Sequence, residues 1–231
     1  MMSKERQRKS RKGVLVVSVL MILSANTIFS QAATYKEGFT YQKLTSGQRH
    51  TMVGVSYPKK GAFLSLSTLR AVQVKYINFA GETKIGTLVV HKKIAKKTAQ
   101  IFYELYQIKY PIQRINMIDK YGADDMKSME ANNTSAFNYR LIAGSNQLSN
   151  HGKGLAIDIN PRINPCVRKG KVEPANGKVY KNRNVKKCKG KYKKYMIHKN
   201  DKVYNIFKKY GFSWGGDWKS LKDYQHFEYT D

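Results

Sequence analysis

The chain has 231 residues, with 43 lysines and arginines against 15 acidic residues, a formal net charge of +28. That imbalance excludes an anionic surface and points to a polyanionic partner or surroundings. Beyond the N-terminal region no run is apolar enough to span a membrane, and the remaining ~200 residues suit one globular domain with an ordinary core.

Taken in order, the first 33 residues read as a secretory signal peptide. Lys4, Arg6, Arg8, Lys9, Arg11 and Lys12 form a basic start, Val14 to Leu23 an apolar run, and Ser30-Gln31-Ala32 a small-residue cleavage site. The run is shorter than the ~20 residues of a spanning helix, which favours cleavage over anchoring. A signal peptide implies a secreted or wall-associated protein. Its removal takes away six cations and Glu5, leaving a net charge of about +23. For an exported chain the nearer polyanions are anionic wall polymers rather than a specific nucleic acid.

Residues 34–58 are polar and rich in Gly, Ser and Lys, and read as a leader segment, covering the domain or partly disordered, ahead of a domain over 59–231. Strands are expected at Leu69–Val74 and Gly86–Val90, joined through a turn at Asn78-Phe79-Ala80-Gly81. Ile94, Ile101, Leu105 and Ile108 recur at near-helical spacing, and that helix must end before Pro111. A short helix is expected at Asp125–Glu130. A further helix spans about Asp201–Tyr210, with Val203, Ile206, Phe207 and Tyr210 inward and Gly211 at its C-terminus. The last strand is Gln225–Tyr229. Between them, about 166–200, lies a basic insertion: fourteen Lys or Arg stand between Arg168 and Lys202 against Glu173 and Asp201 alone. Its Pro, Gly and Asn content is that of a loop. Cys166 and Cys188, the only cysteines, flank most of it; in an exported chain such a pair suggests a disulfide, worth roughly 3 kcal/mol in the chain-entropy model. The order of elements suggests an α+β domain, with a small antiparallel sheet carrying the functional site and helices packed to one side.

The most informative stretch is Ser149-Asn150-His151-Gly152-Lys153-Gly154-Leu155-Ala156-Ile157-Asp158. Leu155, Ile157 and Ile159 alternate with Ala156, Asp158 and Asn160, the period of a strand with one apolar face, so Asp158 points away from that face. His151 precedes it in a Gly-rich turn. A second histidine stands in Asp223-Tyr224-Gln225-His226-Phe227-Glu228. Two imidazoles and a carboxylate are what a catalytic zinc site uses, with a fourth position open for water. His50, His91 and His198 lack a carboxylate or cysteine at ligand spacing. Glu228 shares the face of His226, whereas Asp223 has the opposite parity and reaches the same place only if the chain bends near Tyr224.

Ser-x-His-x-x-Gly-x-Ala-x-Asp with a later Asp-x-x-His resembles the zinc D-alanyl-D-alanine carboxypeptidases, a family that also includes L-alanyl-D-glutamate endopeptidases and phage endolysins. The likeness extends to Asn132–Arg140 and to Gly211–Trp218. It implies zinc held by His151, Asp158 and His226, Asp223 as general base, Arg140 polarising the scissile carbonyl, and an α+β fold. Many relatives carry glutamate at the position of Asp223, so the base here is one methylene shorter. The function implied is a secreted, monomeric zinc metallopeptidase cutting peptidoglycan stem peptides, as a D-alanyl-D-alanine carboxypeptidase. The alternatives are an L-alanyl-D-glutamate endopeptidase of lytic type and a non-catalytic basic wall-binding protein, which would have no need of the ligand set.

Overall fold

Alternation of apolar and polar residues builds a four-stranded antiparallel meander in the first half of the chain. A computed structural model describes residues 32–142 and 144–230; the expected signal peptide falls on residues outside that range, apart from its last two positions. Strands β1 (Ala33–Lys36) and β2 (Phe39–Lys43) precede helix α1 (Ser46–Met52), which Thr45 and Gln48 start with a reciprocal capping box. Then come β3 (Leu69–Ile77) and β4 (Thr83–His91), and the sheet order is β1-β2-β3-β4. The β3–β4 turn closes because Asn78 Oδ1 accepts from the N–H groups of Ala80 and Glu82.

Residues 34–58 are packed into the fold. Phe39, Leu44 and Met52 are buried, and β2 pairs with β3 along its whole length. The segment looks polar because only one side of each of its short elements turns inward. β3 is buried on both faces at its start: Val72 and Val74 belong to the main core, and Leu69 and Ala71 to a second cluster with Leu44, Met52 and Phe137.

Helix α2 (Ala95–Gln107) lies across the sheet with Ala99, Ile101, Phe102 and Leu105 in the core. It stops one turn before Pro111, where Lys109 takes a positive φ of 53°; Ile108, expected on the inner face, is 38% exposed. β5 (Arg114–Ile115), α3 (Asp125–Glu130) and β6 (Asn133–Thr134) follow, with β5 and β6 paired in parallel.

The second half carries a three-stranded antiparallel sheet. β7 (Ala156–Asp158) is its first strand, and after the insertion come α4 (Lys202–Lys209), β10 (Phe212–Trp214), β11 (Lys222–Asp223) and β12 (His226–Tyr229). The order is β10-β12-β7. Asp201 caps α4 through the Tyr204 N–H, and Phe207 stacks on Phe227 at 3.9 Å, fixing the helix to β12. α2 and α4 are clamped together by Glu104, which accepts from Tyr210 Oη and Lys209 Nζ. One continuous core unites both sheets and both helices, so the fold is α+β as expected.

The basic insertion is more ordered than its loop composition suggests. β8 (Cys166–Arg168) and β9 (Lys171–Glu173) form a hairpin, and β11 adds to it with Asp223 opposite Cys166. Its own small core holds Ile163, Tyr180, Cys188 and Met196. Arg183 is the pin of this region: its terminal nitrogens donate to Ile163 O, Asn164 Oδ1 and Ile197 O, and its guanidinium lies 4.4 Å from the Tyr224 ring centroid. The expected disulfide is not formed. Both cysteines are buried free thiols: Cys188 is turned into the small core, its thiol donating to Val179 O, whereas Cys166 is held by strand register beside Asp223 and Glu173. Burial of apolar side chains and Arg183 hold the insertion where a cross-link was expected.

Candidate metal centre

The turn that presents His151 is built from short backbone contacts. Ser149 Oγ accepts from the Gly152 N–H, and the Gly154 N–H returns to His151 O. Gly154 has φ +70°, and a Cβ there would lie 2.7 Å from the His91 backbone nitrogen, so the turn can pack on the end of β4 only with glycine. β7 begins directly after it and is buried except at Asp158, which opens to the cleft. β12 is antiparallel to β7 with His226 directly opposite Asp158. Backbone pairing alone therefore brings a carboxylate and an imidazole together.

The three side chains converge. His151 Nε2 is 3.1 Å from His226 Nδ1 and 3.3 Å from Asp158 Oδ1, and His226 Nδ1 is 3.2 Å from the same oxygen. Tetrahedral zinc with bonds of about 2.0–2.2 Å places its donors about 3.3–3.6 Å apart, so the observed triangle needs to open by only a few tenths of an ångström. His151 Nδ1 lies 2.6 Å from Ala136 O. A carbonyl only accepts, so Nδ1 carries the proton and Nε2 presents its lone pair inward. His226 Nε2 is 3.1 Å from Glu228 Oε2, which also accepts from Asn150 Nδ2; this holds the ring with Nδ1 turned to the other ligands. Each histidine is thus oriented by a partner on its far nitrogen, the arrangement typical of metal-ligating histidines. No other cluster of this kind occurs among the described residues.

The electrostatics describe a cation-hungry site. Burial would raise the Asp158 carboxyl, but the adjoining His151 and His226 hold it well below the usual range. Burial likewise disfavours a charged His226, and hydrogen bonds to Asp158 and Glu228 outweigh it, raising the imidazole to about 10.

Asp223 belongs to β11, not to the strand of His226. The chain bends at Tyr224 and Gln225 and passes from the hairpin sheet to the three-stranded sheet, which is the bend that its parity demands. Its Oδ1 is buried with no hydrogen-bond partner. Burial, then the nearby Asp158 charge, push its carboxyl up to about 6. Gly215 makes room for this packing: a Cβ there would fall 2.7 Å from Asp223 O and 3.2 Å from His226 Cβ.

Ligands and Asp223 line one cleft of about 620 Å³, together with Arg140, Arg168, Trp218 and Glu228. Arg140 is on its wall, with Nε 2.6 Å from Asp125 Oδ2; Asp125 in turn accepts from Asn138 Nδ2. Trp218 sits 5.1 Å from the His226 ring. For Glu228 the signal in the sequence was its shared parity with His226. Asp125 and Asn150 carried no signal, since both act through partners distant in sequence.

Residues 143–229, which hold the three ligands and Asp223 but not Arg140, match the family model described as D-alanyl-D-alanine carboxypeptidase. No solved structure gives a significant match to the chain. No helix among the described residues is long and apolar enough to cross a membrane. Over the segment that builds its candidate metal centre, the chain is similar to the family described as D-alanyl-D-alanine carboxypeptidase, and the three converging side chains of that segment could hold a metal ion.

Proposed function

We propose that the protein is an exported carboxypeptidase that removes the terminal D-alanine from peptidoglycan stem peptides. The observation that carries this reading is the pairing, in one cleft, of a three-donor set at 3.1–3.3 Å mutual spacing with the Asp223 carboxylate, whose Oδ1 is buried without a hydrogen-bond partner. Bound zinc would act as a Lewis acid that activates water and polarises the scissile carbonyl.

The chain's own residues supply the rest. His151, Asp158 and His226 hold the ion, and Ala136 O and Glu228 keep the two rings in the required tautomers. Asp223 takes the proton of the attacking water and returns it to the leaving amine; a carboxyl lifted toward neutrality suits both transfers. Arg140 steadies the developing oxyanion, its Nε tied to Asp125 so that the guanidinium is positioned before substrate arrives. Trp218 walls the cleft beside His226 and limits water around the reacting carbonyl.

Digestion of purified muropeptides, with and without chelator and read by mass spectrometry, tests the proposal. Loss of one terminal alanine that stops when the metal is removed supports it. Cleavage between L-alanine and D-glutamate would establish the lytic endopeptidase reading in its place, and the absence of any metal-dependent product would leave a wall-binding protein.

A further inference from the structure

A second concavity of about 360 Å³ shares no residue with the metal cleft. It forms where the β3–β4 turn, the loop after α2 and the basic insertion meet. Phe79, Tyr192 and Tyr195 make its floor, and Lys109, Lys191 and Lys194 stand around it. No acidic residue lines it; the nearest in sequence, Glu82, is paired with Lys84 at 3.1 Å.

The three rings pack on one another rather than presenting open faces. Phe79 lies 4.3 Å from Tyr192 and 5.5 Å from Tyr195, tilted at 46° and 69°, and Tyr195 O is fixed by a hydrogen bond from Tyr110 Oη. Lys191 Nζ and Lys194 Nζ lie over the rings of Tyr192 and Tyr195 at 5.4 and 4.9 Å. These cation–π contacts hold two ammonium groups beside the groove and lower the entropy lost on binding an anion. They also occupy a face of Tyr192 and a face of Tyr195 on which a nucleobase would stack. A firm apolar floor with pre-placed point charges suits a compact, repeating phosphate chain without flat bases.

We propose that this groove binds a phosphodiester-linked polyol chain, with Lys109, Lys191 and Lys194 contacting successive phosphates. The site would tether the protein to an anionic polymer while leaving the metal cleft free.

The test is calorimetric titration of the full chain with a glycerol phosphate hexamer at physiological salt. A Lys109→Ala/Lys191→Ala/Lys194→Ala variant is compared with Lys59→Ala/Lys60→Ala/Lys96→Ala, which removes the same charge from exposed positions elsewhere. The groove variant should lose about tenfold in affinity, as three modest ion pairs imply, and the control less than about twofold. Equal losses in the two variants, or no binding by the parent, would overturn the proposal. So would tighter binding of an oligouridylate that the groove variant abolishes, which would assign the site to nucleic acid. Metal-dependent cleavage of a short muropeptide should be the same in all three proteins, so the outcome is independent of the catalytic reading.

Discussion

A histidine ligates a metal only through a nitrogen that carries no proton, so the groups on its other nitrogen decide whether it can serve. For His226 that group is Glu228, itself steadied by Asn150. Glu228→Gln should keep the ring in place but weaken its basicity, and zinc affinity measured by chelator competition should fall roughly 10–100-fold. Asp223→Asn should do the reverse: zinc binding stays near that of the parent, while kcat on a muropeptide drops by about 10²–10⁴, the range of a general base. A near-parental kcat would show that another group takes the proton. The convergence of His151, Asp158 and His226 was legible, because the Gly-rich turn, the strand period and the paired histidine motif all sit within short windows. Glu228 was half legible: its parity with His226 placed it nearby, but its contact depends on how the β12 side chains turn. Asp125 was not legible at all, since its pairing joins the start of α3 to Arg140 beyond β6, and no local pattern links the two.

Elements read well where one face alone is buried. α2 and α4 follow their apolar spacing apart from the exposed Ile108, α3 falls where it was expected, and the strand at 225–229 was placed to within a residue. Reading failed where inward residues were too sparse for a period to show. β2, α1 and the link between them bury only Phe39, Met52 and Leu44 among polar neighbours, and the three-residue strands of the insertion are too short to alternate visibly. The clamp between α2 and α4 shows what such elements depend on. Burial pushes the Glu104 carboxyl up, but hydrogen bonds from Lys209 and Tyr210 more than offset this and lower it overall. A depressed carboxylate stabilises the fold above its unfolded pKa, ~4.3, and that contribution disappears as pH falls through the folded value. Glu104→Gln should therefore cost about 1–2 kcal/mol at pH 7. The difference in Tm between variant and parent should shrink as the pH is taken down toward 3. A gap that persisted in acid would mean the contact acts through shape alone.

The protein is held together by one core that both sheets share, and the ligand triangle sits at the rim of that core rather than within it. Metal should consequently stabilise the folded chain without being required for it. His151 is held by Ala136 O and His226 by Glu228, contacts made within the fold itself. With zinc at ~100 times its Kd the gain is about 2.7 kcal/mol, or several degrees in Tm for a domain of this size. Calorimetry should show a cooperative transition in both chelator and zinc, displaced upward with zinc; complete unfolding by chelator at room temperature would contradict this architecture.

The two tryptophans occupy opposite surroundings, and that gives the centre a built-in optical reporter. Trp214 is buried, its indole N–H bonded to Tyr224 O; Trp218 is partly open, 5.1 Å from the His226 ring. A protonated imidazole quenches a neighbouring indole, and an ion bound at His226 displaces that proton. Loading the metal-free protein with zinc should thus brighten the emission of Trp218 while that of Trp214 stays constant. Trp218→Phe should abolish the signal and Trp214 should remain as an internal standard. The occupancy of the centre could then be followed in real time, in the same cuvette in which a muropeptide is being cut.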